Sequence, residues 1–336
     1  MISPINFRRR FTLKLDNKFS ARQHHLQSIL SLLDENKNLS AKQLANLTGL
    51  SIVSVNKLLD IINSQSNLII TSYLSTRGRR AKIYQLNYAA QHLGIVQLAE
   101  DKGQIKATYF LTDLAGQIQS QKFNDHQIIS LEQLTDFIYS EVLQKKPQKI
   151  IIGIPGAELD GILQISDLKS LQGIDLTKAV KGITNIDTMV VNDSNASTLG
   201  AATVLHENNN LAVGIYFPNN FGPGVGIVIN NQLINGVDGL AGEIEYSTVD
   251  SPIISEQIEQ HVQNIISLLN PNLMIVYANK LGLTPLQIDQ IKQTIKQNLP
   301  LHHKYRLDFD RDFEKDYLIG LATIGRKNIL QNLSID

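Results

Sequence analysis

The sequence predicts an α/β protein built from two parts, a winged helix-turn-helix at residues 1–88 and a two-lobed body at residues 89–336. Charge is one observation that divides the chain. Residues 1–88 hold 13 Lys and Arg against 4 Asp and Glu, whereas residues 89–336 hold 18 against 27. The spacing of apolar residues is the other, because helical periodicity up to residue 62 gives way to short strand-like runs from residue 92 onward.

Length and composition exclude several classes of protein. With 336 residues, 43% of them hydrophobic, the chain can bury real cores and is not disordered. It has no cysteine, which excludes disulfides and thiolate metal sites. No apolar run approaches the ~20 residues that cross a bilayer, and no apolar stretch follows Arg8-Arg9-Arg10 as it would in a secretory signal. We expect a cytoplasmic protein with no membrane partner, and surface roles rather than metal binding for His24-His25 and His302-His303.

Three helices are predicted between His25 and Ile62. Apolar residues at helical spacing mark the first helix, and Ser40 is expected to cap a second one over 41–47. Gly49 permits the sharp corner that follows. A third helix begins after Ser51 and presents, on its first turns, side chains that suit the base edges and phosphates of a major groove. These candidate DNA-binding residues are Ser51, Ile52, Val53, Ser54, Asn56 and Lys57.

A basic hairpin is predicted to follow, with strands near 68–73 and 82–86. Its tip carries Arg77, Gly78, Arg79 and Arg80, and three guanidinium groups around one glycine suit phosphate or a narrow minor groove. The net charge of this whole segment also favours a polyanion such as nucleic acid. An ordinary three-helix domain with a basic, solvated loop is the alternative.

The body repeats one arrangement twice. Each half begins with three strand-like runs and continues with a helix and a further apolar strand, which predicts two related lobes around a cleft and a mixture of parallel and antiparallel pairs. The predicted strands are 92–99, 104–111, 117–123 and 149–153 in the first half, and 211–217, 225–229, 232–235 and 273–277 in the second.

Several motifs together resemble the ROK family (repressor, open reading frame, kinase), in particular its xylose- and N-acetylglucosamine-type repressors. They are Thr48-Gly49-Leu50-Ser51, the Arg77–Arg80 run, Gly153-Ile154-Pro155-Gly156, Val191–Ala196, Gly239–Ile244 and Leu269-Asn270-Pro271. The resemblance implies an actin-like sugar-kinase fold that repressors retain as a sugar sensor. It also implies that a sugar pocket is lined by Gly156, Asn192, Asp193, Glu243 and Tyr246, the last in place of a family histidine that serves both sugar and zinc. The family's Cys-rich zinc loop is missing.

Three nucleotide-binding elements of the family's kinases are altered. The first phosphate loop, Asp-x-Gly-Gly-Thr in kinases, is Val96–Glu100 here, with no glycine and with a carboxylate that would repel phosphate. The second phosphate loop is Asn220-Phe221-Gly222, and the adenosine-side Gly-Gly is Ala278-Asn279. We therefore expect no enzymatic activity and no cofactor. Asp193, which matches the family's catalytic base, is expected to bind ligand or cap a helix.

The leading hypothesis is a DNA-binding transcriptional regulator of carbohydrate metabolism, a repressor whose body senses a sugar or sugar phosphate. The expected partner is a palindromic, A·T-rich double-stranded operator. Because one such domain reads only a half-site, a homodimer or higher homo-oligomer is expected. Two alternatives stay open: a ROK sugar kinase, and a regulator whose body is only a dimerisation scaffold.

Overall fold

A computed structural model describes residues 21–74, 81–205, 211–219, 221–244, 247–249 and 251–333. The chain divides into two compact units, one formed by Met1–Asn87 with Leu330–Asp336 and the other by Tyr88–Ile329. The last residues of the chain therefore group with the N-terminal unit, which the sequence analysis did not anticipate.

Between residues 21 and 86, the described part of the N-terminal unit has three helices and a three-stranded antiparallel sheet of order β1-β3-β2. Its elements are α1 (Ala21–Asn36), β1 (Leu39–Ser40), α2 (Ala41–Thr48), α3 (Ile52–Ser66), β2 (Ile69–Leu74) and β3 (Ala81–Leu86). Ser40 forms a capping box with Gln43 at the start of α2, and Gly49 ends that helix with a φ of 72°. The predicted apolar stripes are buried: Leu26, Ile29, Leu30 and Leu33 on α1, and Val55, Leu58, Leu59 and Ile62 on α3.

The end of the last helix, α9 (Phe313–Asn332), completes this unit. The side-chain amide of Gln23 donates to the carbonyl oxygen of Leu333, and that of Gln27 donates to the carbonyl oxygen of Gln331. Leu330 is buried. Residues more than 300 positions apart in the chain are thus held together in one small unit.

The second unit holds two five-stranded sheets with the same topology. The first is ordered β6-β5-β4-β7-β10 and the second β13-β12-β11-β14-β15; in each, three strands form an antiparallel meander and two further strands add in parallel. The strands of the first sheet are β4 (His92–Asp101), β5 (Gln104–Asp113), β6 (Ile118–Phe123), β7 (Lys149–Ile154) and β10 (Thr188–Asn192). The strands of the second sheet are β11 (Leu211–Tyr216), β12 (Gly224–Ile229), β13 (Gln232–Leu233), β14 (Leu273–Tyr277) and β15 (Arg306–Asp308). The duplication predicted from the sequence is confirmed, and each sheet packs on its own apolar core.

The remaining elements of this unit include a hairpin and three helices that were not predicted from the sequence. They are α4 (Leu131–Gln144), β8 (Gly156–Leu159), β9 (Ile162–Ser166), α5 (Leu176–Thr184), α6 (Asp193–Leu205), α7 (Ile254–Leu269) and α8 (Pro285–Asn298), with α9. No single helix in the described ranges is long and apolar enough to cross a membrane; α2 and α3 reach that length and composition only as a pair, bent by 108°.

Helix α6 is buried along most of its length and begins at the sugar-pocket motif. Glycines let it approach its neighbours closely. A methyl group on Gly200 would overlap the carbonyl oxygen of Asp316 in α9, and one on Gly320 would overlap the carbonyl oxygen of Ala196. Gly226 of β12 likewise leaves room for α6. Backbone contact on both sides fixes the first turn of α6, and with it Asp193.

Candidate functional site

Four of the five residues predicted to form a sugar pocket line one cavity of about 70 Å³. They are Gly156, Asn192, Asp193 and Glu243; Tyr246 lies outside the described residues. The cavity also takes in Pro155, Ile165, Asp167, Ser194, Tyr216 and Gly222–Gly224. Side chains from both lobes therefore meet at this cavity, the first cavity.

Asn192 is held in place by hydrogen bonds from both ends of its amide. Its Oδ1 accepts from the backbone N–H of Asn195 at 2.9 Å, as a helix-capping residue does, and its Nδ2 donates to the carbonyl oxygen of Gly156 at 3.0 Å. Asn192, rather than Asp193, thus caps α6. The amide ties the start of the helix to the start of the β8–β9 hairpin.

Asp193 is buried at the N-terminus of α6, where its Oδ1 accepts from the backbone N–H of Ser194 at 2.6 Å and from the hydroxyl of Ser194 at 3.2 Å. Burial raises the pKa of this carboxyl to about 7, against the lowering effect of those hydrogen bonds, and the charges of Glu243 and Glu314 raise it further. Near neutral pH the group is therefore both a hydrogen-bond donor and an acceptor, as a sugar hydroxyl requires.

Glu243 is placed by a glycine. Gly242 has a φ of 98°, and a methyl group there would overlap the carbonyl oxygen of Val225, so the backbone can pair Glu243 with Gly224 only because residue 242 lacks a side chain. Asp167, Asp193 and Glu243 bring three carboxyl groups to the first cavity, and no Lys, Arg or His is among its described lining residues. Such a lining favours an uncharged, hydroxyl-bearing ligand and disfavours a phosphate.

The region that corresponds to the phosphate loops holds a carboxylate of the protein itself. Glu100 is buried at the end of β4, and its carboxylate oxygens accept from the backbone N–H groups of Gly103 at 3.1 Å and Asn219 at 3.2 Å. Asn219 precedes the altered second loop, of which residue 220 lies outside the described residues. Lys280, which follows β14, donates to the carbonyl oxygen of Glu100 at 2.7 Å and to Glu314 Oε1 at 3.3 Å. The Glu100 carboxylate thus accepts the hydrogen bond of the Asn219 amide, which lies next to the second loop.

The predicted DNA-contacting face lies on the first two turns of α3. Ile52 is 47% exposed, Val53 is 79% exposed, and Ser51, Ser54 and Lys57 are exposed as well. Ser51 is the helix cap and accepts from the backbone N–H of Ser54 at 3.1 Å.

Asn56 differs from the other residues of this face. It is half-buried, and its Oδ1 accepts from the hydroxyl of Tyr84 at 3.2 Å. Arg77, Gly78, Arg79 and Arg80 lie outside the described residues. Among the exposed side chains of this face, Ile52 and Val53 are apolar.

Comparison with known proteins agrees with this architecture. Residues 97–252 match the ROK family. The Xylose repressor of Caldicellulosiruptor bescii is 27% identical over 233 residues, which cover 66% of this chain and 58% of the repressor. The Xylose repressor of Bacillus subtilis is 26% identical over 234 residues, 66% of this chain and 59% of that protein, so the chain matches less than two thirds of either relative's length.

A crystal structure described as a ROK family transcriptional regulator, homolog of E. coli MLC protein, superposes with a TM-score of 0.71 at 18% identity, covering 92% of this chain and 96% of the other. Residues 97–252 thus carry a ROK family domain, the resemblance read from the motifs is confirmed, and the body has the family's actin-like α/β fold.

Proposed function

We propose, from the ROK family domain at residues 97–252, that this protein is a sugar-responsive transcriptional repressor whose N-terminal unit is a winged helix-turn-helix. The observation that carries the proposal is the pairing of an α3 surface suited to DNA with a body that keeps a polar cavity and fills its phosphate region with Glu100. The proposed site of action is the cytoplasm, where the DNA is.

The exposed side chains of α3 support a specific mode of reading DNA. Ile52 and Val53 are apolar and lie on the first turn, which enters the major groove in helix-turn-helix proteins, and apolar side chains there contact the methyl group of thymine. Lys57 lies one turn further along and suits a phosphate. This arrangement favours the A·T-rich operator, with a palindrome read by two copies of the chain in a homodimer or higher homo-oligomer.

A binding titration tests the DNA-binding part. Duplexes enriched by the full chain from a randomised library are titrated by fluorescence anisotropy at several salt concentrations. Lys57→Ala is expected to weaken binding and to reduce the slope of log affinity against log salt by about 1. Lys296→Ala, at an exposed lysine on α8 of the body, is the matched control and should leave both unchanged. Equal affinities and slopes for Lys57→Ala and the parent would contradict the assignment of α3.

The absence of kinase activity is part of the proposal. ROK folds also serve catalysis: a ROK Hexokinase from Thermus thermophilus superposes on the body with a TM-score of 0.59 at 13% identity, covering 69% of this chain and 97% of the hexokinase. The Glu100 carboxylate, about 3 Å from the Asn219 amide, would stand close to a bound phosphate, and like charges at such a distance repel by several kcal/mol. Calorimetric titration with ATP and Mg²⁺ is expected to show no binding at micromolar concentrations, and micromolar affinity would favour the kinase.

The effector is proposed to be an uncharged sugar, because three carboxyl groups and no described cation line the first cavity. D-xylose and D-glucose, each with its phosphate ester, are added to the protein–DNA complex. A neutral sugar should release the duplex and stabilise the protein, by about 2.7 kcal/mol at 100 times its dissociation constant, while the phosphates should do neither. Glu243→Gln should weaken the response. A protein that binds DNA but responds to no sugar would favour the scaffold alternative.

A further inference from the structure

A second cavity of about 220 Å³, partly open to solvent, adjoins the first and belongs to none of the functions above. Its lining residues come from the edge strand β10, from β7 and β8, from α6 and α9, and from β13 with the loop after it. Gly156 and Asn192 line both cavities. The volume far exceeds the ~10–15 Å³ that one water needs.

Two residues that line this cavity each have a buried side-chain oxygen with no hydrogen-bond partner among the described residues. One oxygen is Oδ1 of Asn195, a residue only 8% exposed, and the other is Oε1 of Glu158. Buried polar atoms without partners cost about 1–3 kcal/mol each, so native proteins rarely leave them unsatisfied unless something else binds there. Asn195 and Glu158 are on different elements, α6 and β8, and both line the same cavity.

The backbone turns Glu158 toward the cavity. Consecutive residues of a regular strand face opposite sides, yet Ala157 and Glu158 both line it. The pairing of β8 with β9 shifts register between these two residues, and such a bulge re-aims a side chain. Gly239, with a φ of 78°, lets the loop after β13 lie close to the carbonyl oxygen of Glu158. Both features shape this wall of the cavity.

The lining also specifies the chemistry of an occupant. Leu233, Met189 and Ile324 offer apolar surface, while Glu158, Asn195 and Asn235 supply polar groups, and no described lining residue is cationic. Burial, with the nearby charge of Asp175, raises the pKa of Glu158. An apolar wall with a few polar groups matches the C–H face and hydroxyl rim of a carbohydrate.

We infer that the second cavity, bounded by β8, β10, α6 and Leu233, is a binding site for an uncharged polyhydroxy ligand of sugar-ring size, held through Asn195 and Glu158. The ligand is either a free sugar or the second ring of a disaccharide whose first ring fills the first cavity. Because Asn192 and Gly156 line both cavities, an occupant of the second contacts the same segments that position Asp193.

Methionine methyl signals test this in the full chain. The sequence has three methionines, of which Met189 lines the second cavity and Met274 is fully buried in the core of the other lobe. Protein labelled with ¹³C at the methionine methyl groups is titrated with D-xylose, xylitol, xylobiose and glucose 6-phosphate, and the Met189 signal is assigned with Met189→Leu. The neutral probes should shift the Met189 signal to saturation and leave Met274 in place, and the phosphate should shift neither.

Variants separate this site from the first cavity. Leu233→Trp fills the second cavity and Glu158→Leu removes a polar group, so each should reduce the Met189 shift at least tenfold in apparent affinity, whereas Glu158→Gln should largely retain it. Ile234→Trp, one residue along and outside the lining, is the matched control. Glu243→Gln should spare the xylose shift, and its loss for xylobiose alone would identify the disaccharide. A Met189 signal unmoved by every neutral probe, or equal shifts in Leu233→Trp and the parent, overturns the inference whether or not the first cavity binds sugar.

Discussion

Replacement of Asp193 by asparagine should change how the stability of the body depends on pH. The pKa of this carboxyl rises from its ordinary value of 3.8 to about 7 on folding, mainly through burial. Between these two values the folded chain keeps a proton that the unfolded chain releases, so stability falls as pH rises. At about 1.4 kcal/mol for each tenfold change, the full effect is about 4 kcal/mol, of which about 2–3 kcal/mol falls between pH 5 and pH 8.

Urea denaturation followed by circular dichroism measures the effect. The free energy of unfolding of the parent minus that of Asp193→Asn should fall by about 2–3 kcal/mol from pH 5 to pH 8, because asparagine does not titrate. The difference removes the contributions of other groups, including Glu158 and Glu314, whose pKa values are also raised by burial. Asp289→Asn, at an exposed carboxyl on α8, is the control and should run parallel to the parent. A difference between parent and Asp193→Asn that stays constant across this range would refute the reasoning.

Three further predictions concern packing and helix capping within each unit. Gly200→Ala should destabilise the protein by several kcal/mol or prevent folding, since the methyl group would overlap the carbonyl oxygen of Asp316. Gly182→Ala, on a helix with open space around it, should instead stabilise the protein by about 0.5–1 kcal/mol. Thermal denaturation compares the two variants, and similar melting temperatures would contradict the close approach of α6 and α9. Ser51→Ala should lower the free energy of unfolding by about 1 kcal/mol, because α3 loses its N-cap. Urea denaturation measures the change, and an unchanged midpoint would contradict a stabilising role for the cap. Leu330→Ala should lower the stability of the N-terminal unit by about 2–5 kcal/mol, because Leu330 is buried in it. Faster amide hydrogen exchange in α1 would measure this loss, and unchanged exchange there would contradict a stabilising role of Leu330 in that unit.

The N-terminal unit was predictable because its signals are local. Ser40 and Ser51 cap the helices that follow them, and Gly49 adopts the positive φ that the corner needs. Each of these effects depends on residues a few positions apart, which a sequence displays directly. The contribution of Leu330 to the same unit depends on a contact across the whole chain, for which the sequence offered no signal.

The site was predictable only as far as its motifs reach. Gly156, Asn192, Asp193 and Glu243 were found because each lies in a short motif, and the structure brings them to one cavity. The sequence did not show which of Asn192 and Asp193 caps α6, because both residue types cap helices. Only the fold shows that the Asn192 side chain accepts from the backbone N–H of Asn195. The position of Glu158 in the lining of the second cavity was not predicted, because it depends on a strand bulge that has no clear sequence signature here.

In the proposed regulator, the altered phosphate region and the retained polar cavity together favour a ligand-binding role for Asp193. A carboxyl group with a pKa near 7 is well matched to accept the proton of a sugar hydroxyl, but that hydroxyl can take up a phosphoryl group only from a phosphate donor bound nearby. Glu100 engages the Asn219 amide, and Lys280 engages Glu100 and Glu314 instead of a nucleotide. In the proposed regulator, Asp193 donates and accepts hydrogen bonds at the first turn of α6. Asn192 joins that turn to the start of the β8–β9 hairpin, so a ligand hydroxyl at Asp193 would lie next to residues that line both cavities.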